Sequence, residues 1–264
     1  MVTQKAAMLR ELRRDREKKH ASKIPLKPFA VIILAVLILA PAAFLTRHIS
    51  QWEYDYIVSG GVVTLTHYKG SDTEIEIPAR ILWFDVAAIG DGLFSTRRDI
   101  TSIVIPPGIT TIGDRAFEGC ALLADIALPD SLTFIGSYAF QECKSLVSIV
   151  IPNGVTVISD GTFYNCTRLT NVAIPDSAIT IGVYAFRGCT GLKSVTIPAN
   201  VTHFGIGAFV GCSNLESAFF EGNAPHVYEI SPPFSGCAPS FKVYYKEGTT
   251  GWSNPWFDHV AVVL

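Results

Sequence analysis

The chain has 264 residues, of which 49% are hydrophobic and 17% charged, with 16 Phe and a net charge of -2. This length allows a sizeable buried core, and so apolar a composition excludes an intrinsically disordered chain. The charge is unevenly distributed: residues 1–50 carry 10 basic and 3 acidic side chains, and residues 51–264 carry 11 and 20. Because the larger part is acidic and would repel phosphate, a polycationic nucleic-acid binder is excluded and no nucleic-acid partner is expected.

The first elements along the chain are a basic segment and an apolar segment. Residues 1–27 hold nine Lys and Arg, and the stretch from Pro28 to Leu45 contains no charged side chain. A helix of that length spans about 27 Å, close to the hydrocarbon thickness of a bilayer. Since positive charge stays on the cytoplasmic side, we predict a basic cytoplasmic tail over 1–27, a transmembrane helix acting as signal anchor over 28–46, and an extracytoplasmic remainder. The alternative is a signal peptide cleaved near Ala42.

The middle of the chain, residues 98–212, consists of five repeats of 23 residues. A cysteine recurs at this step, with a phenylalanine three residues before it and a leucine three residues after it. The cysteines of the column are Cys120, Cys143, Cys166, Cys189 and Cys212. A period of this length indicates a solenoid, in which each coil covers the apolar edge of its neighbour.

Each repeat contains two short extended segments and one tight turn. In one repeat, residues 149–151 alternate as a strand does, Pro152 ends the strand, and residues 155–158 form a second extended segment. The portion from Phe163 to Cys166 is compatible with one helical or 3₁₀ turn. We predict an α/β repeat solenoid that is mostly β, with six to seven coils and a parallel strand ladder on one side.

The repeat unit resembles the BspA-like leucine-rich repeats of bacterial surface proteins through its Ile-Pro, Ile-Gly and Ala-Phe-x-x-Cys elements. Residues 54–94 resemble the lead-in of such proteins, and residues 220–252 resemble their closing module. The resemblance implies a leucine-rich-repeat right-handed superhelix at the bacterial envelope that binds a protein partner, identity unknown, without catalysis.

The two ends of the repeat array are irregular. Terminal coils must shield the stack from water, so we predict an N-terminal cap and degenerate first repeat over 52–97, and an irregular repeat and cap over 213–264. Arg97 occupies the cysteine position of the first coil, and the first coil carries five extra residues between Pro78 and Ile89.

The cysteine column suggests metal ligands or disulfides, but equivalent side chains that point the same way suit neither disulfide torsion nor tetrahedral zinc. We predict buried thiols, with a Cys212–Cys237 bridge as the alternative. The histidines lack ligand spacing, and no nucleophile-elbow, phosphate-loop or dinucleotide motif occurs. No catalytic residue, metal or cofactor is therefore expected.

The remaining candidate is a partner-binding strip made of the outward positions of the first extended segment in each coil. Most of these side chains are small and uncharged, which suits an extended polypeptide or a partner's surface. The strip comprises Ser102, Val104, Asp125, Ala127, Ser148, Val150, Asn171, Ala173, Ser194, Thr196, Ser217 and Phe219. Crowding on a curved inner face would also select small residues.

The leading function is protein–protein interaction or adhesion by a membrane-anchored ectodomain in the envelope. One alternative is a carbohydrate- or cell-wall-binding module that uses Phe219, Trp252 and Trp256. The other is a structural spacer with no tight ligand.

Overall fold

The computed structural model describes residues 53–227 and 232–264, which fall within one compact unit, Ser50–Leu264. Neither range contains a helix that is long and apolar enough to cross a membrane. The predicted cytoplasmic tail over 1–27 and transmembrane helix over 28–46 lie outside the described residues.

The described residues form 18 short β-strands. In chain order they are β1 (Tyr54–Ser59), β2 (Val62–Tyr68), β3 (Glu74–Glu76), β4 (Arg80–Ile81), β5 (Phe84–Ile89), β6 (Ser102–Val104), β7 (Thr111–Ile112), β8 (Phe134–Ile135), β9 (Ser148–Val150), β10 (Val157–Ile158), β11 (Asn171–Ala173), β12 (Thr180–Ile181), β13 (Ser194–Ile197), β14 (His203–Phe204), β15 (Ser217–Phe220), β16 (His226–Val227), β17 (Lys242–Tyr245) and β18 (Val260–Val263).

The strands stack into a solenoid with two strand-bearing sides. On one side β3 pairs with β6, β9 with β11, and β13, β15, β17 and β18 follow one another; on the other side run β5, β7 and β8, then β10, β12, β14 and β16. Pairing within the repeats is parallel and joins equivalent residues one period apart, such as Ser148 with Asn171 and Ile158 with Ile181. The sequence therefore predicted one of the two ladders, the one formed by the first extended segment of each repeat.

The stack contains about eight coils, more than the six to seven predicted. One column of buried side chains beneath the first ladder marks each coil: Ile75, Ile103, Ile126, Ile149, Val172, Val195, Ala218 and Val243. The prediction fell short because the column continues into the irregular ends, where the spacing departs from the period of the central repeats.

The third side of each coil is a tight turn, and no α-helix occurs in the described ranges, so the helical part of the predicted α/β class is wrong. Within the turn the amide of Cys166 donates to the carbonyl of Phe163 at 3.2 Å, which is a 3₁₀-type bond. Gly161, before this turn, and Asn165, within it, have φ of 59° and 57°. Two left-handed residues four positions apart prevent an α-helix from propagating.

Backbone hydrogen bonds also connect the turns of successive coils. The amide of Phe163 donates to the carbonyl of Ala185 at 2.8 Å, and the amide of Phe117 donates to Ala139 at 2.8 Å. Each coil is thus tied to the next on all three sides, which satisfies the backbone of residues that belong to no strand.

The core is built from columns of identical side chains. The rings of Phe94, Phe117, Phe140, Phe163, Phe186, Phe209 and Phe234 stack with centroids 4.9–5.6 Å apart and interplanar angles of 6–17°. All seven rings are fully buried. Offset stacking of this kind stabilises a pair beyond the burial of its area, and it explains why phenylalanine repeats at this position.

An antiparallel hairpin of β1 and β2 covers the first coil, and β2 pairs in parallel with β5. The ring of Tyr68 lies 5.5 Å from that of Phe94 and ends the phenylalanine column. The extra residues of the first coil form a second hairpin, β4 with β5, whose tip exposes 64% of Trp83.

Arg97 secures this cap from the position that a cysteine occupies in later coils. Its guanidinium donates to the carbonyls of Gly70 (3.0 Å) and Asp72 (2.8 Å), and it forms an ion pair with Asp99 at 2.9 Å. A short thiol could not reach the lead-in loop. Arg97 therefore replaces cysteine in the first coil because its longer side chain binds the lead-in loop to this coil.

At the other end, β17 and β18 continue the first ladder and an aromatic cluster closes the stack. Trp256 is 4% exposed and packs 5.5 Å from Phe220, and Trp252 lies 4.9 Å from Tyr245. Trp256 is therefore a core residue of the last coils, and Trp252 and Tyr245 are partly buried against the same cluster.

Candidate functional site

The predicted strip lies on the surface of the first ladder, hereafter the front face. In β9, β11 and β13 the central residues Ile149, Val172 and Val195 are buried, so the flanking residues point outward. All twelve strip residues are exposed or half-exposed. The alternation of the sequence thus identified the surface side of the ladder.

Strand register places the strip residues in two parallel columns. Asn171 is aligned with Ser148, and Ala173 with Val150; in the last coils Ser217 is aligned with Ser194. Equivalent residues in adjacent parallel strands lie about 4.8 Å apart. The columns therefore present a regular surface rather than a cleft.

The front face extends beyond the strip at both ends. Glu74 and Glu76 precede Ser102 and Val104 in the columns, and their side chains are exposed. At the far end Lys242 follows Ser217 and Tyr244 follows Phe219. These residues were missed because the spacing to them differs from the repeat period; the signals that would reveal them are the short alternating segments 74–77 and 242–245.

One coil interrupts the front face. Residues 124–128 belong to no strand, although Asp125 and Ala127 are exposed and Ile126 between them is buried. The amide of Val147 still donates to the carbonyl of Ala124 at 3.1 Å, so the coil remains tied to its neighbour. The front face consequently consists of three short ladders, β3 with β6, β9 with β11, and β13 to β18, and the irregular coil separates the first two.

Charge and aromatic character change along the front face. The first end carries the carboxylates of Glu74 and Glu76, and the last end carries Lys242. The rings of Phe219 and Tyr244 stack at a centroid distance of 5.0 Å and are half-exposed. The face is therefore polarised, acidic at its first coil and cationic and aromatic at its last.

The cysteine column is not a reactive site. Each thiol donates to the carbonyl of a phenylalanine in the preceding coil, for example Cys166 to Phe140 at 3.1 Å and Cys189 to Phe163 at 3.1 Å. All six cysteines are free thiols, including Cys212 and Cys237, so the alternative of a bridge between these two is wrong.

Burial keeps these sulfurs in the thiol form. It raises the pKa of Cys120 and Cys237 to about 12, and it holds the pKa of Cys166 and Cys189 well above the ordinary range. Because the thiolate is the nucleophile and the metal ligand, such cysteines act as packing residues.

A column of aspartates fixes the corner after the second ladder. Oδ1 of Asp114 accepts a hydrogen bond from the amide of Ser137 at 2.7 Å, and Oδ1 of Asp160 accepts one from Val183 at 2.7 Å. These carboxylates stabilise the next coil. In the two described ranges, no group of three or more His, Cys, Asp or Glu side chains could hold a metal ion.

The architecture defines the class of protein before any comparison: a leucine-rich-repeat solenoid, mostly β, with capped ends. The family model described as BspA type Leucine rich repeat region (6 copies) matches residues 87–247. This is more than half of the chain, which therefore belongs to that family.

Solved structures show the same fold. A leucine rich cell surface protein from Faecalibacterium prausnitzii A2-165 is 25% identical with a TM-score of 0.55, covering 80% of this chain and 71% of that chain. A Leucine Rich Repeat protein of T. pallidum is 21% identical with a TM-score of 0.50, covering 85% of both chains. The likeness to the second protein concerns the fold alone. No curated protein matches the chain.

Proposed function

We propose that this chain is a non-enzymatic bacterial envelope protein, anchored by residues 28–46, whose repeat domain binds a protein partner through the front face. The observation that carries the proposal is the pair of outward columns along the first ladder, regular in spacing and formed mainly of small uncharged side chains. A flat surface of this kind suits an extended polypeptide or a partner's surface.

Two further observations support this function. The chain belongs to a family of leucine-rich repeats, and one solved relative is described as a cell surface protein. The thiols are buried and hydrogen-bonded and the aspartates stabilise neighbouring coils, so neither column competes with the strip as a binding site.

The test introduces one bulky charge at a time. Ser148→Arg and Ala173→Arg lie on the front face, and Gln141→Arg adds the same charge on the turn side. Gln141→Arg is a matched control because Arg187 occupies the equivalent position two coils later.

The full-length variants are displayed on cells, and partners are captured from host-cell surface extract and from neighbouring bacteria. We expect the two front-face variants to lose about tenfold in partner recovery and the control to lose nothing. Equal recovery by all three variants would remove the binding site from the front face. Protease digestion from outside the cytoplasmic membrane tests the anchoring: loss of the repeats with retention of a membrane-bound N-terminal fragment is expected, whereas a soluble product that begins near Ala43 would refute it.

A carbohydrate-binding function is the second candidate because of the stacked, half-exposed rings of Phe219 and Tyr244. Small-molecule sites are lined mainly by apolar and aromatic side chains with a few polar groups. Phe219→Ala and Tyr244→Ala are expected to abolish any glycan-array signal under this function, and both should bind as the wild type does if the partner is a protein that contacts the central coils.

A further inference from the structure

The second ladder presents an exposed side of the solenoid with a chemistry unlike that of the front face. This second face consists of β7, β8, β10, β12 and β14 with the residue before each strand: Thr110–Ile112, Thr133–Ile135, Thr156–Ile158, Ile179–Ile181 and Thr202–Phe204. None of these fifteen residues is Asp, Glu, Lys or Arg. The repeat does not require uncharged side chains at the first two positions of each segment, since only the buried third residue belongs to the core.

The centre of the second face is apolar. Phe134 and Val157 occupy equivalent positions in successive coils, and Ile179 of the next coil lies one position earlier, beside Thr180; the three side chains are 48%, 44% and 47% exposed. Two of the flanking threonines donate their hydroxyls to carbonyls of the preceding coil: Oγ1 of Thr110 to Ala87 at 3.2 Å and Oγ1 of Thr133 to Thr110 at 3.1 Å. A row of exposed large apolar side chains on consecutive coils marks an interaction surface more often than scattered single ones do.

Carboxylates border this apolar row on both sides. Asp114 and Asp160 follow their strands by two residues, and Asp130 and Asp176 precede theirs by four. All four are exposed. The hydrogen bonds that Asp114 and Asp160 accept from the next coil hold these two carboxylates in place along the border.

No Lys or Arg offsets these charges within the five segments that carry the second face. The segments 103–114, 126–137, 149–160, 172–183 and 195–206 contain no Lys or Arg. The next base in the chain is Arg115, whose guanidinium lies 4.9 Å from the Tyr138 ring and pairs with Glu118 at 3.1 Å on the turn side.

Charge therefore selects the occupant of this face. A second copy of the chain, docked face to face, would oppose aspartate borders to aspartate borders and would be repelled. An anionic membrane or nucleic acid would be repelled likewise. Apolar side chains flanked by Lys or Arg would match both the row and its borders.

We propose that the second face is a docking surface for a cationic amphipathic polypeptide segment, whose apolar side chains cover Phe134, Val157 and Ile179 while its Lys or Arg side chains pair with the bordering aspartates. A groove of about 470 Å³ lined by Thr64, Thr66, Asp91 and Thr111 continues the face toward the N-terminal cap. The site is distinct from the front face and does not depend on the function proposed for it.

The test uses three synthetic peptides of equal length, alternating Leu with Lys, Leu with Glu, and Ser with Lys. They are titrated against the full-length chain in phosphatidylcholine nanodiscs, with empty nanodiscs as the blank. A carbodiimide then couples peptide amines to nearby carboxylates, and mass spectrometry identifies the coupled residues. We expect the Leu/Lys peptide to bind most tightly and to couple to Asp114, Asp130, Asp160 and Asp176.

Variants separate the two parts of the surface. Asp130→Asn with Asp176→Asn removes two charges, and Asn153 already stands at this position in the coil between them. Phe134→Thr with Val157→Thr removes the apolar row and matches Thr111 and Thr180 in neighbouring coils. The charge variant is expected to weaken binding about fivefold, the apolar variant about tenfold, and the front-face control Glu74→Gln with Glu76→Gln less than twofold.

Several results would overturn the proposal. Equal binding of the Leu/Lys and Ser/Lys peptides would reduce it to charge attraction, and equal loss in the front-face control would place binding elsewhere. Coupling confined to carboxylates outside the borders would contradict it without any variant. If the chain sediments as a dimer and Phe134→Thr converts it to a monomer, a second copy of the chain is the occupant.

Discussion

The phenylalanine column makes a quantitative prediction about Phe163. Its ring is fully buried and is stacked on both faces, 5.5 Å from the ring of Phe140 and 5.3 Å from that of Phe186. Phe163→Ala removes the ring from the middle of the stack. Truncation of a buried phenylalanine costs about 3–5 kcal/mol, depending on how far the surroundings relax into the space.

Relaxation around Phe163 is limited by the backbone. Hydrogen bonds on three sides fix the spacing between this coil and its neighbours, for example the 2.8 Å bond from the Phe163 amide to the Ala185 carbonyl. The neighbouring coils cannot close the cavity without breaking this ladder. We therefore expect the upper part of the range, about 4–5 kcal/mol of lost unfolding free energy.

The matched control is Phe134→Ala, which makes the same change on a ring that is 48% exposed. Its expected cost is about 1 kcal/mol, because half of the ring is already in water and little cavity forms. Urea unfolding followed by far-ultraviolet circular dichroism gives both free energies. A cost for Phe163→Ala that lies below the range for a buried phenylalanine, or that equals the cost of the control, would refute the argument that the stack is rigid.

The same variant tests the cooperativity of the solenoid. Each coil contacts only its neighbours, so a weakened interface in the middle allows the two halves to unfold separately. With Trp52 and Trp83 replaced by Phe in all proteins compared, fluorescence of Trp252 and Trp256 reports on the last coils, and circular dichroism reports on the whole stack. The two transitions should coincide in the wild type and separate in Phe163→Ala. Coincident transitions in the variant would mean that coupling extends beyond nearest neighbours.

Three further predictions concern the thiols and the N-terminal cap. Burial raises the pKa of Cys166 above its unfolded value of about 8.5. The contribution of this thiol to stability is therefore complete below that pH and is lost as pH rises. Between about pH 7.5 and 10 the unfolding free energy of Cys166→Ala should fall less steeply than that of the wild type, by up to about 1.4 kcal/mol per pH unit. Arg97→Ala should lower the unfolding free energy measured in urea by about 1–2 kcal/mol, because two hydrogen bonds to carbonyls are lost. Since Arg97 lowers the pKa of Asp99, the difference in unfolding free energy between wild type and variant should narrow as pH falls through that pKa. Arg97→Lys should not restore the lost stability, because an ammonium lacks the forked donors of a guanidinium. Tyr54→Phe should raise the melting temperature, gaining about 1 kcal/mol, because the buried hydroxyl has no hydrogen-bond partner among the described residues; a loss would mean that it has one.

The repeat made most of the fold predictable. Residues with the same position in the period, such as Cys120 and Cys143, occupy the same column, and the alternation at Ser148 to Val150 identified the exposed side of a strand. These inferences succeed because each coil repeats the same contacts with its neighbours, so one coil specifies the next. The surface placement of the strip follows from the same regularity.

The sequence did not predict the strands at the two ends, where the spacing departs from the repeat period, or the second ladder, where the side-chain pattern does not indicate the backbone conformation. The first and last coils carry Glu74 and Lys242 at spacings that differ from the repeat period, so their strands were left out of the strip. The left-handed conformation of Tyr138 and Asn165 is not evident from these two side chains, and of the two turns that the sequence allowed, helical or 3₁₀, the structure has the 3₁₀ type. The second ladder has only two residues in each repeat strand, too few to show an alternation.

The columns also indicate where specificity is encoded. Positions that repeat, such as those of Phe163 and Cys166, build the scaffold and are interchangeable between coils. Positions that vary lie on the surface, and their variation is ordered: acidic residues precede Ser102 on the front face and Lys242 follows Ser217, whereas Phe134 and its neighbours keep the second face uncharged. Since both faces are built on the same backbone ladder, the difference between them comes from side chains that the fold does not constrain. Binding, on either face, should therefore respond to exchanges between coils that leave stability unchanged, and this separates the residues that recognise a partner from those that hold the solenoid together.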